Sequence, residues 1–258
     1  MTKPAPYIHP DAKLGKNVIV EPFAYIEADV VIGDNTWIGP NTCIMEGARI
    51  GNNCKIFSGA QIAAVPQDLK YEGEKTYAII GDNTSIREFV TVSRGTKAHG
   101  ETSIGSNCLL MNYVHIAHDC ILGDHCILSN SVQVAGHVEI GDYTVVGGMA
   151  GFRQFIKVGA HVMISGKAFV RKDVPPYVSA AREPLGYSGV NALGLRRRGF
   201  SNEVINQIQE MYRVIYMSDY NTSKALTVLE KEITPSKERD TIIDFIRSSE
   251  RGIMKGVE

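Results

Sequence analysis

The five cysteines form no Cys-x-x-Cys pair, no apolar run is long enough to span a bilayer, and charge is almost balanced. Each lack excludes a class. Without paired cysteines a zinc ribbon or thioredoxin-like motif has neither its ligands nor its redox couple. Without about 20 consecutive apolar residues no helix crosses a membrane. A formal net charge of −1 gives no global positive field of the kind that draws a protein to nucleic acid. The opening Met1-Thr-Lys-Pro-Ala-Pro6 lacks the apolar stretch of a signal peptide. A cytoplasmic protein, not integral to a membrane, is the expectation.

What the chain does have is a ladder. Ile8, Leu14, Val20, Ile26, Ile32, Ile38, Ile44, Ile50, Ile56 and Ile62 recur every six residues, and the same period runs without a miss from Ile104 to Val170. Gly often follows the aliphatic residue, as at Gly15 and Gly33, and Asn often comes three residues after it, as at Asn17 and Asn35. A helix would repeat near 3.6 and a simple strand at two. A period of six with Gly and Asn at the corners marks a hexapeptide parallel β-helix. Three hexads make one triangular coil, and coils stack about 4.8 Å apart. Four cysteines (Cys54, Cys108, Cys120, Cys126) share a slot that elsewhere holds Ala or Thr, so they read as reduced, small core residues.

The ladder breaks twice, over about 63–79 and 93–103, with Ile80, Ile86 and Val92 in register between. Both breaks read as loops leaving the coil, and loops on a rigid scaffold are favoured places for binding residues. Lys172-Asp-Val-Pro-Pro-Tyr177 ends the ladder, since two prolines stop a regular strand. Beyond Ala180 the period becomes helical. Ser201 is an N-cap, and Val204, Ile205, Ile208, Met211, Tyr212 and Ile215 share one face. Residues 221–233 and 236–247 read as two further helices, with Arg196-Arg-Arg198 just before the first. The expectation is thus a mainly β protein: a β-helix over 1–180 with two excursion loops, and a small C-terminal helical domain over 181–258.

Residues 18 apart stack in such a coil. Asp119 then lies under His137, and His118 under Gly136, with His115 near the edge of the same patch. A histidine serves as a general base near neutral pH, and a neighbouring carboxylate orients it and stabilises its cation. A free glycine N–H at a corner faces an oxyanion well. The same histidines open a second reading, a zinc hydratase of the carbonic anhydrase type holding metal on His115, His118 and His137. A scaffold without catalysis is a third.

The chain resembles the UDP-N-acetylglucosamine 3-O-acyltransferase family, the first acyltransferase of lipid A synthesis. The resemblance rests on Pro66-Gln-Asp-Leu-Lys-Tyr71, Arg94-Gly-Thr96, His115-Ile-Ala-His-Asp119, Ala135-Gly-His137, Gly159-Ala-His-Val-Met163, Asp173-Val-Pro-Pro-Tyr177 and Gly194-Leu-Arg-Arg-Arg-Gly-Phe200, in family order. It implies a left-handed β-helix and transfer of a 3-hydroxyacyl group from acyl carrier protein to the 3-hydroxyl of UDP-N-acetylglucosamine. It implies a homotrimer with sites between neighbouring subunits, and neither cofactor nor metal. By the same resemblance His118 is the base, Asp119 orients it, and the Gly136 N–H faces the oxyanion. Gln67, Asp68 and Lys70 hold sugar and diphosphate, His115 and His137 line the sugar pocket, and Gln154, Asn191, Arg197 and Arg198 bind the nucleotide end. Gly166 sets acyl-chain length. The chain departs from the family pattern at Arg153 and Leu193. The related N-acyltransferase of the pathway carries a domain before its hexads, whereas here the hexads begin at Ile8.

Overall fold

The computed structural model describes residues 4–256. Short strands, mostly of two residues, repeat along the chain from Tyr7–Ile8 to Phe169–Val170. They fall in turn into three parallel sheets of nine, eight and eight strands, which form the faces of a left-handed prism. We call these the first, second and third sheets in the order in which the chain visits them. Ile26 pairs with Ile44, Ile32 with Ile50 and Ile38 with Ile56, so each rung of the ladder stacks on another apolar rung one coil on. From Ile26 to Val170 the ladder residues are buried, most with no measurable exposure. Each contributes roughly 1.5–3 kcal/mol by leaving water, and this column is the core. Cys54, Cys108, Cys120 and Cys126 line it as free, buried thiols, while Cys43 is half-buried. In the first coil Ile8 and Leu14 keep about a third of their surface, because nothing described stacks beneath them.

The corners divide their labour in a way the composition alone does not show. Asn17, Asn35, Asn53, Asn83 and Asn107 carry the left-handed backbone, with φ between 55° and 58°, a region that short polar side chains tolerate. The glycines serve a different need. A β-carbon on Gly33 would lie 2.6 Å from the Gly51 carbonyl carbon, so the glycine is there for close approach between coils and not for its φ.

Both excursions are insertions. Ile62 pairs with Val92, and Ile50 with Ile80, at a spacing of 30; Val92 pairs with Ile116, and Ile80 with Ile104, at a spacing of 24. Relative to the 18-residue coil, the first loop therefore adds 12 residues and the second adds six. Both numbers are multiples of six, which is why the phase survives. The flanking strands reach further in than expected, through Gln61–Ala64 and Tyr77–Ile80 for the first loop and Thr91–Ser93 and Glu101–Ile104 for the second. Both loops leave the corner between the first and second sheets. Arg94 ties them together, donating from Nε to the Tyr71 hydroxyl at 3.1 Å and from Nη1 to the Glu46 carbonyl at 2.8 Å.

The ladder does not stop at Val170. Val158 bridges to Val174, and Ile164 pairs with Ala180. This last coil is two residues short, and the changed phase hides it from a search at period six. The Pro175-Pro176 pair falls between its rungs. The strand Val178–Ala181 then turns back through an antiparallel partner, Gly186–Val190, which extends the third sheet. The division expected at 180/181 thus runs through a strand.

Four helices follow: α1 (Ala192–Arg197), α2 (Asn202–Met217), α3 (Thr222–Glu232) and α4 (Lys237–Arg247). The arginine run lies inside and at the end of α1, not ahead of the first helix. Ser201, Asn221 and Ser236 cap the other three, each accepting from an N–H three residues on. The expected face of α2 is buried except for the partly buried Val204, and the Tyr212 hydroxyl donates to the Pro176 carbonyl at 2.6 Å, fixing the helices to the last coil. Among the described residues no helix is long and apolar enough to cross a membrane.

Candidate active site

The corner that carries both loops also carries His118 and Asp119. Asp119 takes the left-handed slot that Asn fills elsewhere (φ 59°), and so does His137 one coil on (φ 61°). The slot turns both side chains to the same edge of the prism. The two coils are joined there by the His137 N–H donating to the His118 carbonyl at 3.1 Å.

Asp119 is wholly buried, and every lobe of its carboxylate is used. Oδ1 accepts from the N–H groups of Thr96 (2.9 Å) and His99 (3.3 Å), and Oδ2 accepts from the Thr96 hydroxyl (2.7 Å) and from His118 Nδ1 (2.7 Å). Its own N–H donates to Thr102 Oγ1 at 2.8 Å. Burial by itself would raise this carboxyl. The hydrogen bonds from His118 and Thr96 outweigh it and hold the group below the usual carboxylate range, so it is an ionised acceptor. His118 Nδ1 must then carry a hydrogen, and in the neutral ring the lone pair is on Nε2.

That lone pair faces a built surface. Gly136 lies against the His118 ring: a β-carbon there would sit 2.7 Å from Cε1 and 2.9 Å from Nε2. Only glycine leaves the ring its place. The Gly136 N–H finds no acceptor among the described residues, and Gly136 and His118 both line a cavity of about 310 Å³. Gln67 from the first loop, Ser93, His115, Gln133 and Gln154 complete its polar lining.

Two neighbouring histidines, His115 and His137, have their pKa values pushed down. His115 Nδ1 pairs with Thr91 Oγ1 at 2.7 Å, and burial, then the nearby His118, keep its pKa below the ordinary value. His137 stands edge-on to His118, with centroids 5.1 Å apart, and flat on Phe155 at 4.5 Å. Burial lowers it too, against the pull of Asp119, whose Oδ2 lies 3.7 Å from its Nε2.

A metal reading meets a different set from the three histidines first considered. Among the described residues, His118, Asp119 and His137 bring their ligand atoms within 4.8 Å of one another, and His115 is not in the group. A metal would need a lone pair of Asp119 that four protein donors already occupy, and it would break the His118 bond. The donor set fits an oriented base better than a zinc site.

The remaining candidates divide by corner. Lys70 and Asp68 lie in the first loop outside the cavity wall; the Lys70 N–H donates to Asp68 Oδ1 at 3.0 Å, and Lys70 is exposed. Asn191 is a structural cap: Oδ1 accepts from the Gly194 N–H at 3.2 Å and Nδ2 donates to the His161 carbonyl at 2.9 Å. Arg197 is exposed at the end of α1. Arg198 lies over the Tyr143 ring at 5.2 Å, at the corner between the second and third sheets, where His125, Tyr143, His161 and Tyr177 stack one per coil. Among the described residues, Arg198 Nη1 and His161 Nδ1 are both buried without a hydrogen-bond partner. Burial, and then the charge of Arg198, push the His161 pKa down to about 4. Within one chain, then, the arginines and His118 stand at different corners of the prism. Gly166 stands at the third corner, outside the cavity.

The sequence reading missed Thr96, Thr102 and His99, which hold Asp119. The only trace of them is the Arg94-Gly-Thr96 motif, because the inserted residues destroy the 18-residue spacing that would have linked Thr96 to Asp119.

A family model described as "Udp N-acetylglucosamine O-acyltransferase; Domain 2" matches residues 173–254, and one described as "Bacterial transferase hexapeptide (six repeats)" matches 29–64 and 101–136. The chain is 53% identical over 253 residues to the acyl-[acyl-carrier-protein]–UDP-N-acetylglucosamine O-acyltransferase of Trichlorobacter lovleyi, covering 96% of this chain and 97% of that one. The protein of the same name from Sulfurihydrogenibium is 57% identical over 251 residues, covering 97% and 93%. The solved structure of a UDP-N-acetylglucosamine acyltransferase from Bacteroides fragilis superimposes with a TM-score of 0.96 at 53% identity, over 99% of this chain and 100% of that one. With its hexads, its corner of His118, Asp119 and Gly136, and these relatives along its whole length, the chain belongs to the acyl-[acyl-carrier-protein]–UDP-N-acetylglucosamine O-acyltransferase family.

Proposed function

We propose that the protein transfers a 3-hydroxyacyl group from the thioester of acyl carrier protein to the 3-hydroxyl of UDP-N-acetylglucosamine, in the cytoplasm, as the first acylation of lipid A biosynthesis. The observation that carries this is the 2.7 Å bond between His118 Nδ1 and Asp119 Oδ2, which in the neutral ring puts the lone pair on Nε2, beside a glycine amide in a cavity. His118 Nε2 takes the proton of the sugar hydroxyl as its oxygen attacks the thioester carbonyl. The new C–O bond forms, and the carbonyl becomes an oxyanion that the Gly136 N–H faces. The C–S bond then breaks, and the thiolate leaves with the proton that His118 held. No proton or electron is gained or lost overall. A positioned base contributes typically 10²–10⁴-fold, and one oxyanion donor about 10²–10³-fold.

The assembly we infer is a homotrimer. Arg198 carries a buried Nη1 with no partner among the described residues, as an anion site needs, yet it stands at a different corner from His118. A second copy that brings its own arginine corner against this cavity supplies Gln67 and His118 from one chain and Arg197 and Arg198 from another to the same nucleotide sugar. The test uses purified protein, hydroxyacyl carrier protein and UDP-N-acetylglucosamine. Product from wild type and none from His118→Ala supports the reading; unchanged turnover in that variant removes His118 as base. Co-expressed His118→Ala and Arg198→Ala chains should recover part of the activity that each lacks alone, and no recovery would speak against a shared site.

A further inference from the structure

Residues 96–100 of the second loop make one tight turn, closed by the Gly100 N–H donating to the Thr96 carbonyl at 2.7 Å. Backbone contacts pin it. The Gly95 N–H donates to the Tyr77 carbonyl at 3.0 Å, and a β-carbon on Gly95 would run into the Glu101 nitrogen. The Lys97 N–H donates to Glu74 Oε1 of the first loop at 3.0 Å. Thr96 is thus held in place independently of Asp119, and only 6% of its surface is exposed. The polarity of its hydroxyl is fixed as well. The Ala98 N–H donates to Thr96 Oγ1 at 3.2 Å and takes a lone pair there, so the hydroxyl hydrogen is aimed at Asp119 Oδ2, 2.7 Å away. The Thr96 N–H reaches Oδ1 at 2.9 Å. One residue therefore grips both carboxylate oxygens, and Oδ2 is the oxygen that His118 Nδ1 also uses. Buried Thr102 differs. Its Oγ1 accepts from the Asp119 N–H at 2.8 Å, and among the described residues it makes no bond to the carboxylate.

We propose that Thr96 is a positioning residue for the base: it fixes the Asp119 carboxylate against His118 and takes up part of the negative charge that the ring feels, so that the second loop sets the pH at which His118 can accept the sugar proton. The inference rests on the acyl-transfer reading above. Donors on the charged form make a carboxylate less basic. Burial would raise Asp119; the bonds from His118, and then from the Thr96 hydroxyl and N–H, pull it down. A less basic Asp119 stabilises the imidazolium less, so the ring is free to act as a base at lower pH. The other titratable groups near His118 are His115 on its own coil and His137 on the next, and His99 and Asp68 from the two loops act on His137. All of these stay the same in the variants below, so a change in pH dependence is owed to the altered side chain.

The experiment measures kcat/KM against pH with hydroxyacyl carrier protein and UDP-N-acetylglucosamine, for wild type, Thr96→Val, Thr96→Ser, Thr96→Cys and Thr102→Val. The acid limb reports the base of the free enzyme. Thr96→Val keeps the N–H and the shape and removes the hydroxyl donor, worth roughly one to two pH units of carboxylate basicity. Part of this passes to the ring, so the acid limb should move up by roughly one unit, a loss of roughly tenfold in kcat/KM at a pH below the limb. Thr96→Ser should restore the wild-type limb. Thr96→Cys, a weaker donor of similar size, should fall between, and decides the matter if Thr96→Val does not fold. Thr102→Val should lower the melting temperature and leave the limb where it is. A wild-type limb in Thr96→Val or Thr96→Cys overturns the assignment, and so does an equal shift in Thr102→Val, which would make the effect structural. Wild type that transfers no acyl group refutes the acyl-transfer reading itself; titration of the His118 ring nitrogens by NMR, which needs no turnover, then still tests Thr96 by the same shift.

Discussion

Asp119→Asn is the substitution that most sharply separates an oriented base from a packing residue. The backbone accepts it, since Asn fills the same left-handed corner slot in five other coils and φ is 59° here. The shape is almost unchanged. The hydrogen bonding is not. The carboxylate accepts from two N–H groups at Oδ1 and from Thr96 Oγ1 and His118 Nδ1 at Oδ2. An amide has one acceptor end and one donor end, so one side must fail. If the amide nitrogen faces His118, the imidazole has to accept at Nδ1 and protonate at Nε2, and the base is lost. If the oxygen faces His118, the amide donors confront the N–H groups of Thr96 and His99, and the second loop loses its anchor. Either way two bonds to a charged acceptor disappear, each worth roughly 1.5–3 kcal/mol, so the local cost is about 3–6 kcal/mol. The wrong tautomer should lower kcat by roughly 10³–10⁴-fold. Two measurements check this: kcat with saturating substrates, and hydrogen exchange at the amides of residues 94–100. A variant with near wild-type kcat and unchanged protection in that loop would refute the view that Asp119 sets the tautomer of His118.

Gly136→Ala should lower kcat by about 10²-fold, as a displacement of order 1 Å does, with little loss of melting temperature, because the new β-carbon would lie 2.7 Å from the His118 ring; a normal kcat would mean the ring has slack. His161 bears on acid stability. Its folded pKa of about 4 lies below the ordinary 6.5, so the unfolded chain binds the extra proton, and stability falls as pH drops from 6.5 toward 4 by up to roughly 3 kcal/mol. His161→Phe keeps the ring stack and removes the proton site, so denaturant titrations should show a flatter acid limb; the same slope as wild type would contradict the linkage. Prolonged chelation should leave turnover unchanged, and loss of activity that zinc restores would favour the metal reading of His118, Asp119 and His137.

The repeat is local information, so it was legible in the residues themselves. One aliphatic residue per hexad is enough to specify an inward-facing strand, because each coil only has to match the coil beneath it. The same 18-residue stacking brought Asp119 beneath His137 and His118 beneath Gly136, and the Ser201 cap and apolar face of α2 followed from local sequence. What the sequence could not decide were distances across changes of coil length. Insertions of 12 and six residues put Thr96 beside Asp119, and a deletion of two hid the last coil, because a constant period cannot report a break in its own count. Nor could the order of residues say which corner each candidate occupies. Arg198, Gly166 and His118 all sit at corners, but at three different ones, and the Phe169 ring lies where Gly151 makes room for it. Those placements depend on how side chains from separate coils share space, and only the tertiary packing decides that.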